Sequence, residues 1–230
     1  MLQLRVVAEH TDIIPFIRQA EGGLTGNPAD ANPAANPSPC GIDPNYNAPY
    51  HTNKGITWET YQGYRGAGNT DCQEFLQMSD GLWASIWKVK YWDAVKAGQI
   101  ENQAIANTYA SWAWGSGVAG ANNLMKKALK QRYGYSESDV NTLDKRIAIL
   151  NQEARQDVNQ LFNLLSDERR KYFLSLTHLS VFHNGWLSRL EKFKTYNRRH
   201  LNQREDNTLI YLLIGFAVLS IATYFLVLQQ

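Results

Sequence analysis

The sequence SESDVNTLDKRIAILNQEARQDVNQLFNLL, residues 136–165, has the pattern of a long amphipathic helix. Its apolar residues recur every three or four positions, the spacing that places side chains on one face of an α-helix. These residues are Val140, Leu143, Ile147, Leu150, Val158, Leu161, Phe162 and Leu165. Ser136, followed three residues later by Asp139, is a pair that can cap the start of a helix. We therefore predict a long helix that begins near Ser136 and buries one apolar face.

Helical patterns also lie on both sides of this stretch. We predict further helices over residues 11–21, 58–64, 71–93, 101–132 and 167–177, followed by an aromatic segment to Tyr196. The run GSGVAG at 115–120 predicts a tight turn or a close helix contact. Residues 24–57 contain six prolines and predict a long loop, and no convincing alternating run predicts a strand. The predicted fold class is therefore mainly α.

The first of these helices ends at a glutamate. Thr11 or Asp12 can cap its start, and Gly22 and Gly23 can close its end, which places Glu21 at its C-terminal edge. There, the negative end of the helix dipole and partial burial favour the protonated carboxyl that a general acid requires. A glutamate before two glycines is also an ordinary way for a helix to end, so the pattern alone leaves both interpretations open.

Cleavage of a glycosidic bond needs a second polar group besides the acid, either to stabilise the positive sugar or to handle the attacking water. Asp30 in the following loop is a candidate for that group, and the hydroxyl of Thr52 is a candidate for orienting the water. Asp43, in the same proline-rich loop, competes with Asp30. Three tryptophans are candidates for stacking on sugar rings, with a core role as the alternative: Trp112, Trp114 and Trp186.

The composition excludes some classes of function. The net charge of +2 and the lack of a basic stripe with interleaved aromatic residues argue against a nucleic-acid partner. The spacing of His51, His178 and His183 does not match a metal site, so neither a metal nor another cofactor is predicted. Cys40 and Cys72 could form a disulfide, but two unpaired thiols are the favoured interpretation.

Residues 209–228, LIYLLIGFAVLSIATYFLVL, form an apolar run without a charge or a proline. A helix of that length spans about 30 Å at about 1.5 Å per residue, the thickness of the hydrocarbon core of a bilayer. We therefore predict a C-terminal transmembrane helix over 208–228, with a lipid membrane as a partner. The basic residues before it would place the rest of the chain on the cytoplasmic side, and the first residues lack the pattern of a secretory signal.

Six short segments follow one another in an informative order: FIRQAEGG at 16–23, NPAD at 27–30, TNKGIT at 52–57, WKVKYWD at 87–93, ANNLMKKAL at 121–129 and FHNGWLSR at 182–189. Together they resemble the phage-type N-acetylmuramidases of glycosyl hydrolase family 108, which open with a helix that ends in Glu-Gly-Gly. The resemblance implies a lysozyme-like fold, with Glu21 as the catalytic acid and Asp30 and Thr52 as its polar partners. The implied reaction is cleavage of the β-1,4 bond between N-acetylmuramic acid and N-acetylglucosamine in peptidoglycan.

Three features depart from the pattern of that family. The residues PYH at 49–51 stand where the family has two glycines before the threonine. Residues 31–47 form an insertion rich in proline and asparagine. Ser111 and Gly115 stand where the family has an aspartate and an asparagine before its central glycine turn. These last two differences bear on how a substrate is positioned and on whether the chain is active.

We predict a lysozyme-like catalytic region over residues 1–133, a helical, peptidoglycan-binding-like part over 134–200, and the transmembrane helix. The favoured function is a membrane-tethered muramidase that acts on the cell wall, delivered by a phage or by a contractile injection system. A lytic transglycosylase is the alternative enzyme, because its reaction needs only one glutamate. A non-catalytic peptidoglycan-binding or assembly protein is the alternative from another class.

Overall fold

The computed structural model describes residues 7–28, 38–66, 68, 71–176 and 182–201. The architecture is mainly helical, as the sequence predicted. The α-helices of these residues are α1 His10–Arg18, α2 Trp58–Arg65, α3 Cys72–Leu76, α4 Asp80–Trp87, α5 Gln103–Tyr133, α6 Glu137–Val140, α7 Leu143–Ser175 and α8 His183–Asn197. A π-helical turn, Lys88–Trp92, continues α4, and short 3₁₀ turns lie at Asp93–Val95, Ala97–Gln99 and Arg198–His200.

The proline-rich loop contains short strands that the sequence did not predict. They are β1 Leu24–Thr25, β2 Ile42–Asp43, β3 Ala48–Pro49, β4 Thr52–Asn53 and β5 Ile56–Thr57. All pairs are antiparallel, and they form one sheet in the order β1-β4-β5 and a second sheet of β2 and β3. Each strand has only two residues, which is too short to produce an alternating pattern.

Helix α1 begins and ends earlier than predicted. Its N-cap is Glu9, so the predicted caps Thr11 and Asp12 lie inside the helix. The helix ends at Arg18, and neither Gly22 nor Gly23 has the left-handed φ with which a glycine closes a helix. The chain leaves the helix through a tighter turn, in which the N–H of Glu21 donates to the carbonyl of Arg18 at 3.3 Å. Glu21 therefore lies in the segment after α1.

The two long helices both contain a break. In α5, Gly117 has φ 70° and ψ 161°, which confirms the predicted interruption in the small-residue run.

Ser136 does form a capping box with Asp139, but it caps only α6, and α7 has its own cap at Thr142. Helix α7 joins the two helices predicted over 136–165 and 167–177 and bends instead at Asp157, whose Oδ1 accepts from the N–H of Gln160 at 2.9 Å.

One hydrophobic core holds the helices together. It contains residues from α1 and α4, such as Ile13 and Trp83, together with Leu150 and Phe162 of α7 and Phe193 of α8. Residues before and after position 133 therefore pack into the same core. The site described below also draws residues from both parts of the chain.

A disulfide joins Cys40 to Cys72 across 32 residues of sequence, so the prediction of two unpaired thiols was wrong. The bond fastens the loop before β2 to the first residue of α3. Cross-links of this kind stabilise a fold mainly by restricting the unfolded chain.

The predicted transmembrane helix, residues 208–228, lies outside the described residues, as does His178. Within the part of the chain that the structure describes, none of the helices is both long enough and apolar enough to cross a membrane.

Candidate active site

Glu21 lies where the segment after α1 meets α5 and α8. Its Oε1 atom accepts a hydrogen bond from Trp114 Nε1 at 2.9 Å and another from Arg189 Nη2 at 3.1 Å. Trp114 lies on α5 and Arg189 on α8, 93 and 168 residues further along the chain. The side chain of Glu21 is 13% exposed. The carboxyl is therefore held by two donors and remains partly open to the surface.

The tight turn between β4 and β5 packs against the same carboxyl. Its central residues, Lys54 and Gly55, have φ values of 50° and 78°, which is the geometry of a type I′ hairpin. A Cβ atom at Gly55 would lie 2.4 Å from Glu21 Oε2 and 2.6 Å from Trp114 Cζ2. Only glycine therefore allows the backbone to come this close to Glu21 and Trp114.

This turn is anchored from both sides. The N–H of Lys54 donates to the carbonyl of Gly23 at 3.1 Å, and its own carbonyl accepts from Trp83 Nε1 at 2.8 Å. The ammonium group of Lys54 pairs with Asp80 at 2.8 Å. These contacts tie the turn to the residues that directly follow Glu21 and to α4.

Aromatic rings surround the indole that holds Glu21. The ring of Trp114 makes edge contacts with Tyr91 at 4.8 Å and with Trp83 at 5.8 Å between centroids. Burial raises the pKa of the Tyr91 phenol, and the nearby negative charge of Glu21 raises it further. The rings fix the indole of Trp114 so that its N–H is directed at the carboxyl. This makes Trp114 a residue that orients Glu21.

A second arginine fills the space next to α5 that a side chain at position 115 would occupy. Arg169 is 5% exposed, donates from Nη1 to Ser116 Oγ at 2.5 Å and lies over the ring of Phe173 at 4.6 Å. A Cβ atom at Gly115 would lie 2.6 Å from its Nη2. Burial, as the main cause, and the positive charge of Arg189 together lower the pKa of Arg169 to about 10. The glycine at 115 thus has a physical reason, since it makes room for Arg169.

The predicted polar partners of Glu21 have different surroundings. Asp30 lies outside the residues that the structure describes. The carboxylate of Asp43 is 2% exposed and accepts from the N–H groups of Gly26, at 2.8 Å, and Asn45, at 2.9 Å. The N–H of Gly26 is the main reason why the pKa of Asp43 lies below its usual value. Asp43 therefore holds its own loop together.

Thr52 lies on β4, two residues before the turn that contacts Glu21. Its hydroxyl is 2.8 Å from Nδ1 of His51, whose Nε2 is 3.0 Å from the carbonyl oxygen of Asn27. Because a carbonyl can only accept, Nε2 donates to Asn27, and in a neutral ring Nδ1 is then an acceptor for the Thr52 hydroxyl. The oxygen of Thr52 then keeps its acceptor capacity for a water. No hydrogen bond links Thr52 to Glu21 in the described part of the chain.

The other two predicted tryptophans lie near the arginines. Trp112 is 2% exposed and lies within 6.0 Å of the Arg169 guanidinium, as the core alternative predicted. Trp186 is partly buried on α8 and packs against Phe173 at 5.3 Å and Phe182 at 5.8 Å. It precedes Arg189 by three residues, so the two side chains share one face of α8. Trp186 therefore has an aromatic neighbourhood close to the site.

The sequence did not assign Gly55, Tyr91, Arg169 or Arg189 to the site. Gly55, Tyr91 and Arg189 lie within the segments TNKGIT, WKVKYWD and FHNGWLSR that were compared with the family, but nothing local indicates what they contact. The signals that could have marked two of these residues as part of the site were the positive charge of Arg189 and the position of Gly55 in a short turn.

Glu21 is thus a partly buried glutamate in a mainly helical domain, held by an indole and bordered by a glycine turn. A carboxyl in such a place can act as a general acid. Among the residues described, no group of three or more histidine, cysteine, aspartate or glutamate side chains could hold a metal ion.

Comparison with known proteins indicates the class of enzyme. Residues 14–117 match the family described as glycosyl hydrolase 108. The match supports a glycoside hydrolase of the lysozyme type and confirms the enzyme class that the sequence predicted. No curated protein matches the sequence.

A solved structure, described as that of Brucella abortus SagA, is similar in fold. It is 20% identical in sequence, with a TM-score of 0.61, and the similarity covers 83% of this chain and 94% of that chain. At this identity the likeness concerns the fold alone. A coverage of 83% also means that the common fold extends well beyond residues 14–117.

Proposed function

We propose that the protein is an N-acetylmuramidase, which hydrolyses the β-1,4 bond between N-acetylmuramic acid and N-acetylglucosamine in peptidoglycan, with Glu21 as the general acid. The family match supports a peptidoglycan hydrolase. The observation that carries the role of Glu21 is its position: a carboxyl that is 13% exposed, fixed at Oε1 by Trp114 and Arg189.

The chemistry follows from this position. Hydrolysis of a glycosidic bond requires a proton on the leaving oxygen while positive charge develops on the sugar. A carboxyl held in one orientation can present that proton at a fixed point, which lowers the entropic part of the barrier. The partly buried Tyr91 and Trp114 beside it limit the access of water to the carboxyl. In this proposal the aromatic pair shapes the site, and Glu21 supplies the proton.

The second polar group is proposed to be Asp30 or Thr52. The carboxylate of Asp43 is occupied by two backbone N–H groups, which disfavours it as a group that acts on substrate. With a neutral His51 ring, the Thr52 hydroxyl donates a hydrogen bond to Nδ1, so its oxygen would accept a hydrogen bond from the attacking water. An Asp30→Asn variant that loses activity while Thr52→Val keeps it would assign the role to Asp30.

The Glu21→Gln variant tests the proposal. Replacing a general acid with its amide removes the transferable proton and typically costs a factor of about 10² to 10⁴ in rate. We expect the parent protein to clear suspensions of purified peptidoglycan and the variant to lose that activity. The matched control is Glu59→Gln, which changes an exposed glutamate on α2. Clearing by the Glu21→Gln variant at the parent rate would contradict the assignment.

A lytic transglycosylase is the second candidate, because that reaction needs one carboxyl and Asp43 is bound to its own loop. Mass spectrometry of the products separates the two enzymes. Hydrolysis leaves a reducing end, whereas transglycosylation leaves a 1,6-anhydro end. A folded parent that binds peptidoglycan without cleaving it would instead support the non-catalytic alternative, to which Ser111 and Gly115 had pointed.

We further propose, from the sequence alone, that residues 209–228 tether the protein to a membrane and that a phage or a contractile injection system delivers it. Partition of the full chain into the membrane fraction, and its loss when residues 209–228 are removed, would support the tether. Recovery of the full chain in the soluble fraction after expression would contradict it.

A further inference from the structure

We propose that Arg189 is a positioning residue for Glu21: together with Trp114 it holds Oε1, so that the proton for the leaving group resides on Oε2. This inference rests on the proposed function of Glu21. It assigns part of the active site to α8, which lies outside the residues that match the family.

The hydrogen bonds of the carboxyl distinguish its two oxygens. Oε1 accepts from Trp114 Nε1 at 2.9 Å and from Arg189 Nη2 at 3.1 Å, so both of its lone pairs are used. Oε2 has no donor among the residues described. A proton on the carboxyl therefore belongs on Oε2, because a proton on Oε1 would compete with the indole and guanidinium donors.

Oε2 lies beside the backbone of Gly55, a residue without a side chain. A Cβ atom at this position would lie 2.4 Å from Oε2. Holding Oε1 fixes the rotation of the carboxyl about its last bond, which keeps Oε2 beside this bare stretch of backbone. Without one of the two donors the carboxyl can rotate, and the proton is presented in several directions.

The position of Arg189 suits this role. Its helix is fixed by buried Leu190 and Phe193, while Arg189 itself is 36% exposed. The positive charge of Arg189 contributes to the lowered pKa of Arg169, so the two guanidinium groups repel each other. Because the guanidinium is not part of the core, its removal should leave the fold intact.

Steady-state kinetics on soluble, uncrosslinked glycan strands test the inference. We expect Arg189→Ala to lower kcat about 10- to 100-fold, the usual cost of a misplaced catalytic group, with KM unchanged. Arg189→Lys should recover part of kcat, because it keeps a cationic donor. Trp114→Phe should lower kcat in the same way. Lys192→Ala, which removes an exposed cation three residues further along α8, is the matched control and should keep the parent kcat.

A second measurement separates positioning from substrate binding. In the Glu21→Gln background, co-sedimentation with insoluble peptidoglycan should be the same with Arg189 and with Arg189→Ala. Weaker binding, or a raised KM with unchanged kcat, would mean that Arg189 contacts the substrate and would overturn the inference. So would a kcat for Arg189→Ala equal to that of the parent. An inactive parent, or an active Glu21→Gln variant, would instead overturn the proposed function and this inference with it.

Discussion

At Gly55 the backbone lies so close to Glu21 that a Cβ atom would be 2.4 Å from Oε2. Two requirements meet at this residue. Its φ of 78° is a conformation that side chains disfavour by about 1–2 kcal/mol, and the space beside it is already occupied by the carboxyl. The first requirement concerns stability, whereas the second concerns the geometry of the site, so suitable variants can separate them.

The variant Gly55→Ala is expected to lose most activity and about 1–2 kcal/mol of unfolding free energy. Gly134→Ala is the matched control, because Gly134 has φ 74° and nothing lies within 4 Å of the position that its new methyl group would take. The control should lose similar stability but keep its kcat, since it carries the same backbone strain without the contact to Glu21. Urea unfolding and peptidoglycan clearing measure the two effects. Parent-like activity in Gly55→Ala would contradict the role given to this turn.

Single residues differed in how far the sequence could predict them. Glu21 was a candidate because its signal is local, a glutamate before two glycines within a longer motif. The contacts of Arg189 could not be predicted, since its partner lies 168 residues away and no spacing rule links the two. Asp43 was a rival of Asp30 for the second polar group, yet its carboxylate accepts from backbone N–H groups of its own loop.

At the scale of elements, α5 and α7 meet at Gly115. An alanine at an exposed glycine within a helix normally adds about 0.5–1 kcal/mol of stability, because glycine loses more backbone entropy on folding. At Gly115 the added methyl would lie 2.6 Å from Arg169 Nη2, so the arginine must move away from Ser116. Whether an alanine at position 115 raises or lowers the free energy of unfolding therefore shows whether Arg169 restricts the contact between α5 and α7.

We expect Gly115→Ala to be neutral or destabilising, whereas Gly81→Ala on α4, with nothing within 4 Å, should be stabilising. In an Arg169→Ala background, Gly115→Ala should increase the free energy of unfolding, because the guanidinium that blocks the new methyl group is gone. Chemical denaturation of the four variants measures this coupling. An equal gain at both glycines in the parent background would show that Arg169 does not restrict the helix contact.

Elements with strong periodicity were predicted well, and those that depend on distant contacts were not. The sequence predicted α2, the break in α5 and the apolar face of α7, all of which follow from local spacing. It did not predict the two-residue strands, whose pairing partners lie up to 29 residues apart, as in Leu24 and Asn53. The early end of α1 also went unpredicted, because Gly22 and Gly23 offered an apparent stop that the chain does not use.

At the scale of the whole molecule, the two ends of the described chain close on each other. Asp12 of α1 accepts from Asn107 of α5 at 2.9 Å and pairs with Arg199 at 3.0 Å and with His200 at 3.0 Å, in the turn after α8. The phenol of Tyr196 also donates to the backbone carbonyl of Asp12.

This cluster around Asp12 joins the helix that precedes Glu21 to the helix that carries Arg189. The sequence had suggested Asp12 only as a helix cap.

The Asp12→Asn variant tests whether this closure matters to the site. An amide replaces one acceptor oxygen by a donor that faces Arg199 and His200, so we expect a loss of about 1–3 kcal/mol in unfolding free energy. Because the cluster links the elements that carry Glu21 and Arg189, kcat should fall as well. The control Asp93→Asn breaks a surface pair with Lys88, in which both side chains are more than 40% exposed, and should change stability by less than about 1 kcal/mol. Equal stability of the two variants would mean that the ends of the chain are held by the hydrophobic core alone, and that the approach of α8 to Glu21 does not depend on Asp12.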